Sequence, residues 1–332
     1  MVNETADARS FVLGVPAELH DLFAYEAGQF CTFRVVVDGE TLLRSYSMSS
    51  SPALNEPLTV TVKRVPGGAV SNWMLDNLRA GSVVDATRPA GVFCLSSALG
   101  RGEIVAFCGG SGVTPIVSIA KSALATTDRS VRVLYANRDR DSVILASEFA
   151  RLRDRFGARV SLTTRFDTEA GFVDAAAVGA VAEGASDPDY FVCGPGPFMD
   201  IVESALLDCG VASARVHIER FTPSTPVAPP SFSEPDDSEP ADAHVTITLG
   251  GKTKSTTHRR GTTILQTARQ MGLAPPFSCE SGSCATCMAR LVEGAVSMFV
   301  NNALTDDEVR EGWILTCQSV PTSPTVNVVY EQ

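Results

Sequence analysis

Four cysteines carry the most specific chemistry in the sequence. Cys279, Cys284 and Cys287 form a C-x4-C-x2-C run, and Cys317 follows after 29 intervening residues. A two-iron centre needs four thiolates, and three from one loop plus one from a distant element close such a cage. The small residues in between, Ser281-Gly282-Ser283 and Ala285-Thr286, let the backbone wrap closely and aim N–H groups at the sulfurs. Zinc sites usually present C-x2-C twice, and only one such pair exists here. The spacing therefore predicts a [2Fe–2S] cluster on Cys279, Cys284, Cys287 and Cys317, against the plainer alternative of four structural thiols. Cys31, Cys94, Cys108 and Cys209 have no partner at metal spacing and are expected in the core.

Two further sets of residues suit phosphate and ring recognition. In Arg44-Ser45-Tyr46-Ser47, the arginine fork can clamp a pyrophosphate and the tyrosine can lie along an aromatic ring system. Gly67-Gly68-Ala69-Val70-Ser71 reads as a helix start whose backbone N–H groups could meet a diphosphate. Gly109-Gly110-Ser111-Gly112-Val113-Thr114-Pro115 follows a β-rich run, with glycines for close backbone approach and Pro115 suited to the first helical position. It is not the dinucleotide pattern G-x-G-x-x-G; a tight turn without ligand is the alternative. Cys193-Gly194-Pro195 ends another β-rich run, where open parallel sheets bind ligands.

The elements that must position these residues divide the chain. Residues 1–100 alternate short strands with turns, for example Phe30 to Val37 before Asp38-Gly39, as in a small antiparallel β-barrel. From about residue 101 to 221, strands at Ile104, Val131, Val160 and Tyr190 alternate with helical patterns at Ile144 to Phe156 and Phe198 to Asp208. That rhythm predicts an α/β doubly wound parallel sheet. Residues 222–242 hold six prolines and five acids without Lys or Arg, the composition of a solvated linker. In residues 243–332, strands His244 to Leu249 and Thr253 to Thr257 precede two capping boxes, Thr263 with Gln266 and Thr305 with Glu308, and Gly272 is placed to end the first helix. That order predicts an α+β β-grasp domain.

The R-x-Y-S of residues 44–47, the glycine-rich start at 67–71, Gly109 to Pro115 and C-G-P at 193–195 together resemble the ferredoxin–NADP reductase superfamily. Val62-Lys63 and the turn Pro89 to Phe93 also match it, while residues 243–332 resemble a plant-type ferredoxin. The domain order resembles the electron-transfer reductases of bacterial multicomponent oxygenases, including those of steroid and aromatic catabolism. The resemblance implies FAD held by Arg44, Tyr46, Ser47, Val62, Lys63 and Gly67 to Ser71. It implies NADH, with NADPH less favoured, held by Gly109, Gly110, Gly112, Thr114, Pro115, Cys193, Gly194 and Pro195. It places Ser47 at the flavin N5, Cys193 against the nicotinamide, Glu219 in a proton-linked network and Phe221 near the nicotinamide–flavin contact. After strand Val131 to Tyr135, Arg138 or Arg140 could pair a 2′-phosphate, while Asp139 between them would repel it. One departure is that almost nothing precedes Glu4 to Phe11, so the first barrel strand is expected to be short or missing.

Composition bounds the partners. With 27 basic against 38 acidic residues the net charge is −11, which opposes nucleic-acid binding by bulk electrostatics. No apolar run approaches the roughly 18 residues of a membrane helix, and no secretory signal is recognisable, so a cytoplasmic enzyme is expected. The implied partner is a separate terminal oxygenase, Rieske-type or diiron. A reductase for siderophore-bound iron or another redox protein, and a redox sensor without turnover, are the alternatives.

Overall fold

The computed structural model describes all residues except 96–101, 222–242, 278, 279, 281, 283, 284, 302, 331 and 332. The linker segment and the cluster cysteines Cys279 and Cys284 therefore lie outside the described residues. The chain forms two compact units, Met1–Pro89 with Phe93–Phe221, and Ala90–Val92 with Thr222–Gln332.

The first unit opens with β1 (Val2–Thr5), β2 (Ala8–Val12), β3 (Phe30–Val37), β4 (Glu40–Ser47) and β5 (Thr59–Lys63). Helix α1 (Ala69–Asn77) and strand β6 (Asp85–Ala86) follow. The first strand is short but present: β1 pairs antiparallel with β2, and β2 with β5. A second sheet has the order β4-β3-β6. An isolated bridge between Met48 and Val60 joins the two sets, so the expected barrel is two three-stranded sheets, without continuous closure among the described residues. Asp38 and Gly39 both take positive φ, 52° and 83°, the conformation that a tight hairpin between two right-twisted strands demands. Phe11, Phe33, Met48, Val60, Val62 and Met74 fill the space between the sheets and α1.

The same unit continues through β7 (Ile104–Gly109), α2 (Val113–Thr126), β8 (Val131–Asn137), α3 (Ala146–Phe156), β9 (Val160–Phe166) and α4 (Asp167–Ala170). It closes with α5 (Ala175–Ala182), β10 (Asp189–Cys193), α6 (Gly196–Asp208) and β11 (Val216–Glu219). The strands form one parallel sheet in the order β11-β10-β7-β8-β9. Alternate residues of β7 serve opposite faces, as strand geometry requires. Ile104, Ala106 and Cys108 pack with α2 and α3, while Val105 and Phe107 pack with α5 and α6. Helix α3 starts at Ala146, later than the pattern from Ile144 suggests, because Leu145 is left-handed at φ 56°. Its N–H instead donates to Glu4 Oε2 at 3.2 Å. Helix α2 begins at Val113, so Pro115 occupies its third position, not its first. That place still lies in the first turn, where an N–H has no intrahelical acceptor.

The second unit contains β12 (His244–Leu249), β13 (Lys252–Thr257), α7 (Ile264–Gln270), β14 (Met288–Glu293) and β15 (Val296–Met298). After these come α8 (Asp306–Arg310), β16 (Trp313–Leu315), β17 (Ser319–Pro321) and β18 (Thr325–Tyr330). Its main sheet has the order β13-β12-β18-β14-β16, with β12 and β18 parallel, and α7 packs on it through Ile264 and Ala268. Both capping boxes form as expected. Gly272 ends α7 at φ 69°, with its N–H on Arg269 O and that of Leu273 on Ala268 O. No helix among the described residues is long and apolar enough to cross a membrane.

Candidate functional site

Strand β4 carries Arg44, Tyr46 and Ser47 to its C-terminal end. Ser47 is buried, and its Oγ donates to Glu219 Oε2 at 3.2 Å. Tyr46 tilts against Phe33 with ring centroids 5.9 Å apart, and burial raises its hydroxyl pKa against the opposing pull of Arg44. Arg44 donates to Leu43 O at 2.6 Å.

Glu219 ends β11, in register with Cys193 of β10, which is in register with Cys108 of β7. Strand register thus sets a carboxyl and two thiols in one row at the C-terminal edge of the sheet. Burial pushes the Glu219 pKa up to about 8, the bond from Ser47 pulling the other way. Burial also raises the Cys193 thiol well above its ordinary value, and Glu219 and Cys108 add to the shift. Cys193 is therefore a neutral thiol at physiological pH. Phe221, just past the strand, is 39% exposed.

The two glycine turns interlock. A Cβ on Gly112 would sit 2.1 Å from Cys193 O, and one on Gly194 would sit 2.8 Å from Phe198 Cδ1 and 2.9 Å from Gly109 N. Gly112 and Gly194 are needed so that these turns can touch each other. Gly110 is different: its φ is 53°, and the nearest atom to its Cβ position is Lys63 Nζ at 3.9 Å. Tyr135 braces this turn, its hydroxyl 3.2 Å from both Gly110 O and Ile144 O. Thr114 Oγ1 donates to Ser111 O at 3.0 Å, and Thr114 and Pro115 are buried. On the flavin-motif side, Gly67 has φ 71° with open space at its Cβ position, and Gly68 precedes α1. Ser71 Oγ accepts from Val65 N at 3.2 Å, and Val62 and Val70 are buried beside it. The open position at Gly67, ahead of a nine-residue helix, fits an anionic group, whereas the Gly68 Cβ position is filled by Ser71 Oγ at 2.8 Å.

Past β8, Asp139 caps the short turn at Arg140–Ser142 and accepts from Arg138 Nε at 2.7 Å. The Arg138 guanidinium holds the Asp139 carboxyl below its usual range. Arg140 pairs with both carboxylate oxygens of Glu169, at 2.8 and 3.0 Å. Arg138 and Arg140, the two candidates for pairing a 2′-phosphate, thus already face carboxylates.

In the second unit, Cys287 and Cys317 are both buried. Thr316 ties them together, its N and Oγ1 both donating to Cys287 O. Glu280, Gly282 and Ala285 each take positive φ, at 51°, 76° and 51°. Glu280 is held at 51° by two bonds from Arg269, at 3.0 and 2.9 Å, and by Gln318 Nε2 on its carbonyl at 2.8 Å. Arg269 also covers the Phe277 ring at 3.8 Å. Two buried thiols joined through Thr316 fit two of the four ligands of a thiolate-held cluster. The other thiols differ from expectation in part. Cys31 and Cys108 are core residues, whereas Cys209 is exposed and Cys94 is half-buried with its Sγ on Glu26 Oε2 at 3.1 Å. Cys209 lies after the last turn of α6, beyond its buried face, and Cys94 borders the polar turn at Glu26.

Three family profiles match: an oxidoreductase FAD-binding domain over residues 2–94, an oxidoreductase NAD-binding domain over 107–204 and a 2Fe-2S iron-sulfur cluster binding domain over 247–322. The 3-ketosteroid-9-alpha-monooxygenase ferredoxin reductase component of Mycolicibacterium smegmatis is 38% identical over 100% of this chain and 95% of its own. The chain belongs to the family of oxygenase reductase components. The glycine betaine monooxygenase reductase subunit of Pseudomonas aeruginosa matches this reductase at 32% identity over 98% of the chain and 92% of its own. Among solved structures, phthalate dioxygenase reductase aligns at TM-score 0.58 and 25% identity, covering 99% of this chain and 95% of that one. This reductase is an NAD(P)H-dependent oxidoreductase with FAD, NADH and [2Fe–2S] as its cofactors.

Sequence reasoning missed several positioning residues, namely Tyr135, Arg269 with Glu280, and Lys121 on α2. A lysine inside the apolar run Pro115 to Leu124 was a usable signal for the last.

Proposed function

We propose that this reductase carries electrons from NADH through FAD and a [2Fe–2S] cluster to a separate terminal oxygenase, Rieske-type or diiron, that hydroxylates a steroid-like or aromatic substrate. The observation that supports it is the bond between Ser47 and Glu219, which joins the flavin motif to the edge of the nucleotide sheet. In this reading residues 1–100 bind FAD, 101–221 bind NADH, 222–242 tether the domains, and 243–332 hold the cluster in the cytoplasm. Arg44 and Gly67 to Ser71 would hold the diphosphate, Tyr46 would meet the ring system and Ser47 would serve its N5, with Val62 and Lys63 completing the flavin set. Gly109, Gly110, Gly112, Thr114, Pro115, Gly194 and Pro195 form the NADH turns. Cys193, a buried thiol, would serve the nicotinamide, Glu219 would govern the Ser47 proton and Phe221 would stand near the nicotinamide–flavin contact. Cys279, Cys284, Cys287 and Cys317 hold the irons.

The flavin supplies the conversion from a two-electron hydride to single electrons, which a one-electron centre requires. What the chain contributes is orientation, exclusion of water and one placed proton. A chain ending at Thr222 keeps both nucleotide elements and lacks all four cluster cysteines. It is expected to reduce ferricyanide with NADH about as fast as the intact protein and to fail with the oxygenase. Substrate hydroxylation supported by the shortened chain would refute the route through the cluster.

A further inference from the structure

The segment after Ser47 is docked on the helix after the nucleotide turn. Ser118, Lys121 and Ser122 lie at i, i+3 and i+4 on one face of α2, and all three are buried. Ser118 Oγ donates to Ser50 O at 2.6 Å, and Ser122 Oγ shares a hydrogen with Ser51 Oγ at 2.7 Å. Lys121 Nζ reaches Ser49 O at 3.4 Å, Glu56 Oε2 at 3.0 Å and Glu148 Oε2 at 2.5 Å. Glu56 also accepts from Ser51 N at 2.8 Å, and Tyr25 OH meets Ser50 Oγ at 2.7 Å. One side of this seam belongs to the chain immediately after the R-x-Y-S motif. The other side belongs to the helix whose first turn, through Thr114 and Pro115, closes the glycine turn.

A buried ammonium held by two partly buried carboxylates gains little in stability over well-packed hydrocarbon. Directional bonds do something hydrocarbon cannot: they fix register. Hydride transfer needs the nicotinamide donor carbon and the flavin acceptor nitrogen within about 3–3.5 Å, and a shift of about 1 Å costs about 10²-fold in rate. We propose that Lys121, with Ser118 and Ser122, is a positioning latch that sets the separation between the Ser47 end of β4 and the glycine turn, and so the efficiency of hydride transfer. Lys121, Ser118 and Ser122 lie outside the residues assigned to either cofactor. The inference rests on the assignment of Ser47 to the flavin and of Gly109 to Pro115 to NADH.

The test uses full-length, FAD-loaded protein mixed with NADH in a stopped-flow instrument. Lys121→Met keeps the stem and removes the charge. Its limiting rate of flavin reduction is expected to fall about 10- to 100-fold, while FAD stays bound and the NADH concentration for half-maximal rate changes little. The long-wavelength charge-transfer absorbance of stacked nicotinamide and flavin should weaken in parallel, a signature that general loosening elsewhere would not move. Lys121→Arg should recover most of the loss. Ser118→Ala and Ser122→Ala remove one neutral bond each and should slow the same step about threefold to tenfold. They decide the matter if Lys121→Met does not fold. Wild-type limiting rates and charge-transfer bands in the folded variants would overturn the latch. Failure of NADH to reduce the flavin of the unaltered protein would instead overturn the functional reading, and the latch with it.

Discussion

Replacing Glu219 by glutamine asks where the single hydroxyl hydrogen of Ser47 points. An ionised carboxylate only accepts, so it draws that hydrogen to itself along the 3.2 Å contact. A carboxylic acid can donate to Ser47 Oγ, and the hydroxyl hydrogen is then free for a flavin nitrogen. With a pKa of about 8, the carboxyl is ionised in about one molecule in ten at pH 7 and about nine in ten at pH 9. Flavin reduction by NADH, followed by bleaching in a stopped-flow instrument from pH 6 to 9.5, should therefore slow above pH 8, approaching about tenfold per unit. In Glu219→Gln the amide donates to Ser47 at every pH, so the alkaline limb should vanish and the rate should stay near its low-pH level. The same proton affects stability. The folded pKa lies above the unfolded value of 4.5, so the folded chain keeps a proton that the unfolded chain releases. Stability from this group is fully present below 4.5, declines by at most about 1.4 kcal/mol per unit as pH rises toward 8, and levels off above. Glu219→Gln should lack that slope in denaturation experiments. An alkaline limb that persists in the variant, or a wild-type rate flat to pH 9.5, would refute the reasoning.

Two substitutions probe the turns and the cluster loop. Gly112→Ala places a Cβ 2.1 Å from a backbone oxygen that cannot swing aside, and should slow flavin reduction about 10²-fold or more with a lowered thermal midpoint. Gly179→Ala, a helix site with open space, is its control and should be neutral or stabilising by up to about 1 kcal/mol. Arg269→Ala removes the paired bonds that hold Glu280, and since both side chains are partly exposed the loss should be about 1 kcal/mol. Thermal loss of iron–sulfur absorbance should then run about fivefold faster, with Arg269→Lys in between; unchanged bleaching in both would show that Arg269 does not support the loop.

Much of the fold was legible because its signals are local. Both capping boxes, the Asp38-Gly39 hairpin and the Gly272 stop depend on a few consecutive residues, and each forms where its pattern stands. Features decided by distant partners were less legible. Leu145 leaves the helical pattern to meet Glu4, 141 positions away in sequence, and no local window contains that acceptor. The short turn Gly110–Gly112 starts ahead of α2 and moves Pro115 inward from the first helical position. Glu219 and Ser47 were each marked by motif, yet their contact spans the chain from 47 to 219. Gly112 reads in sequence as allowing close backbone approach to a ligand and Gly194 only as part of a strand-end turn, and their Cβ positions show that the two turns first make room for each other.

That mutual fit has a consequence for inheritance. Neither turn can drift in sequence on its own, since a side chain gained at one glycine collides with the backbone carrying the other. Changes of coenzyme preference have easier entry elsewhere, at the Arg138–Asp139 and Arg140–Glu169 pairs, where both arginines face solvent and ion pairs can be exchanged singly. An engineer who grafts the glycine turn of one reductase into another should move residues 109–115 and 193–198 as one cassette. A chimera carrying only half of it would bring together two backbones never selected to lie in contact.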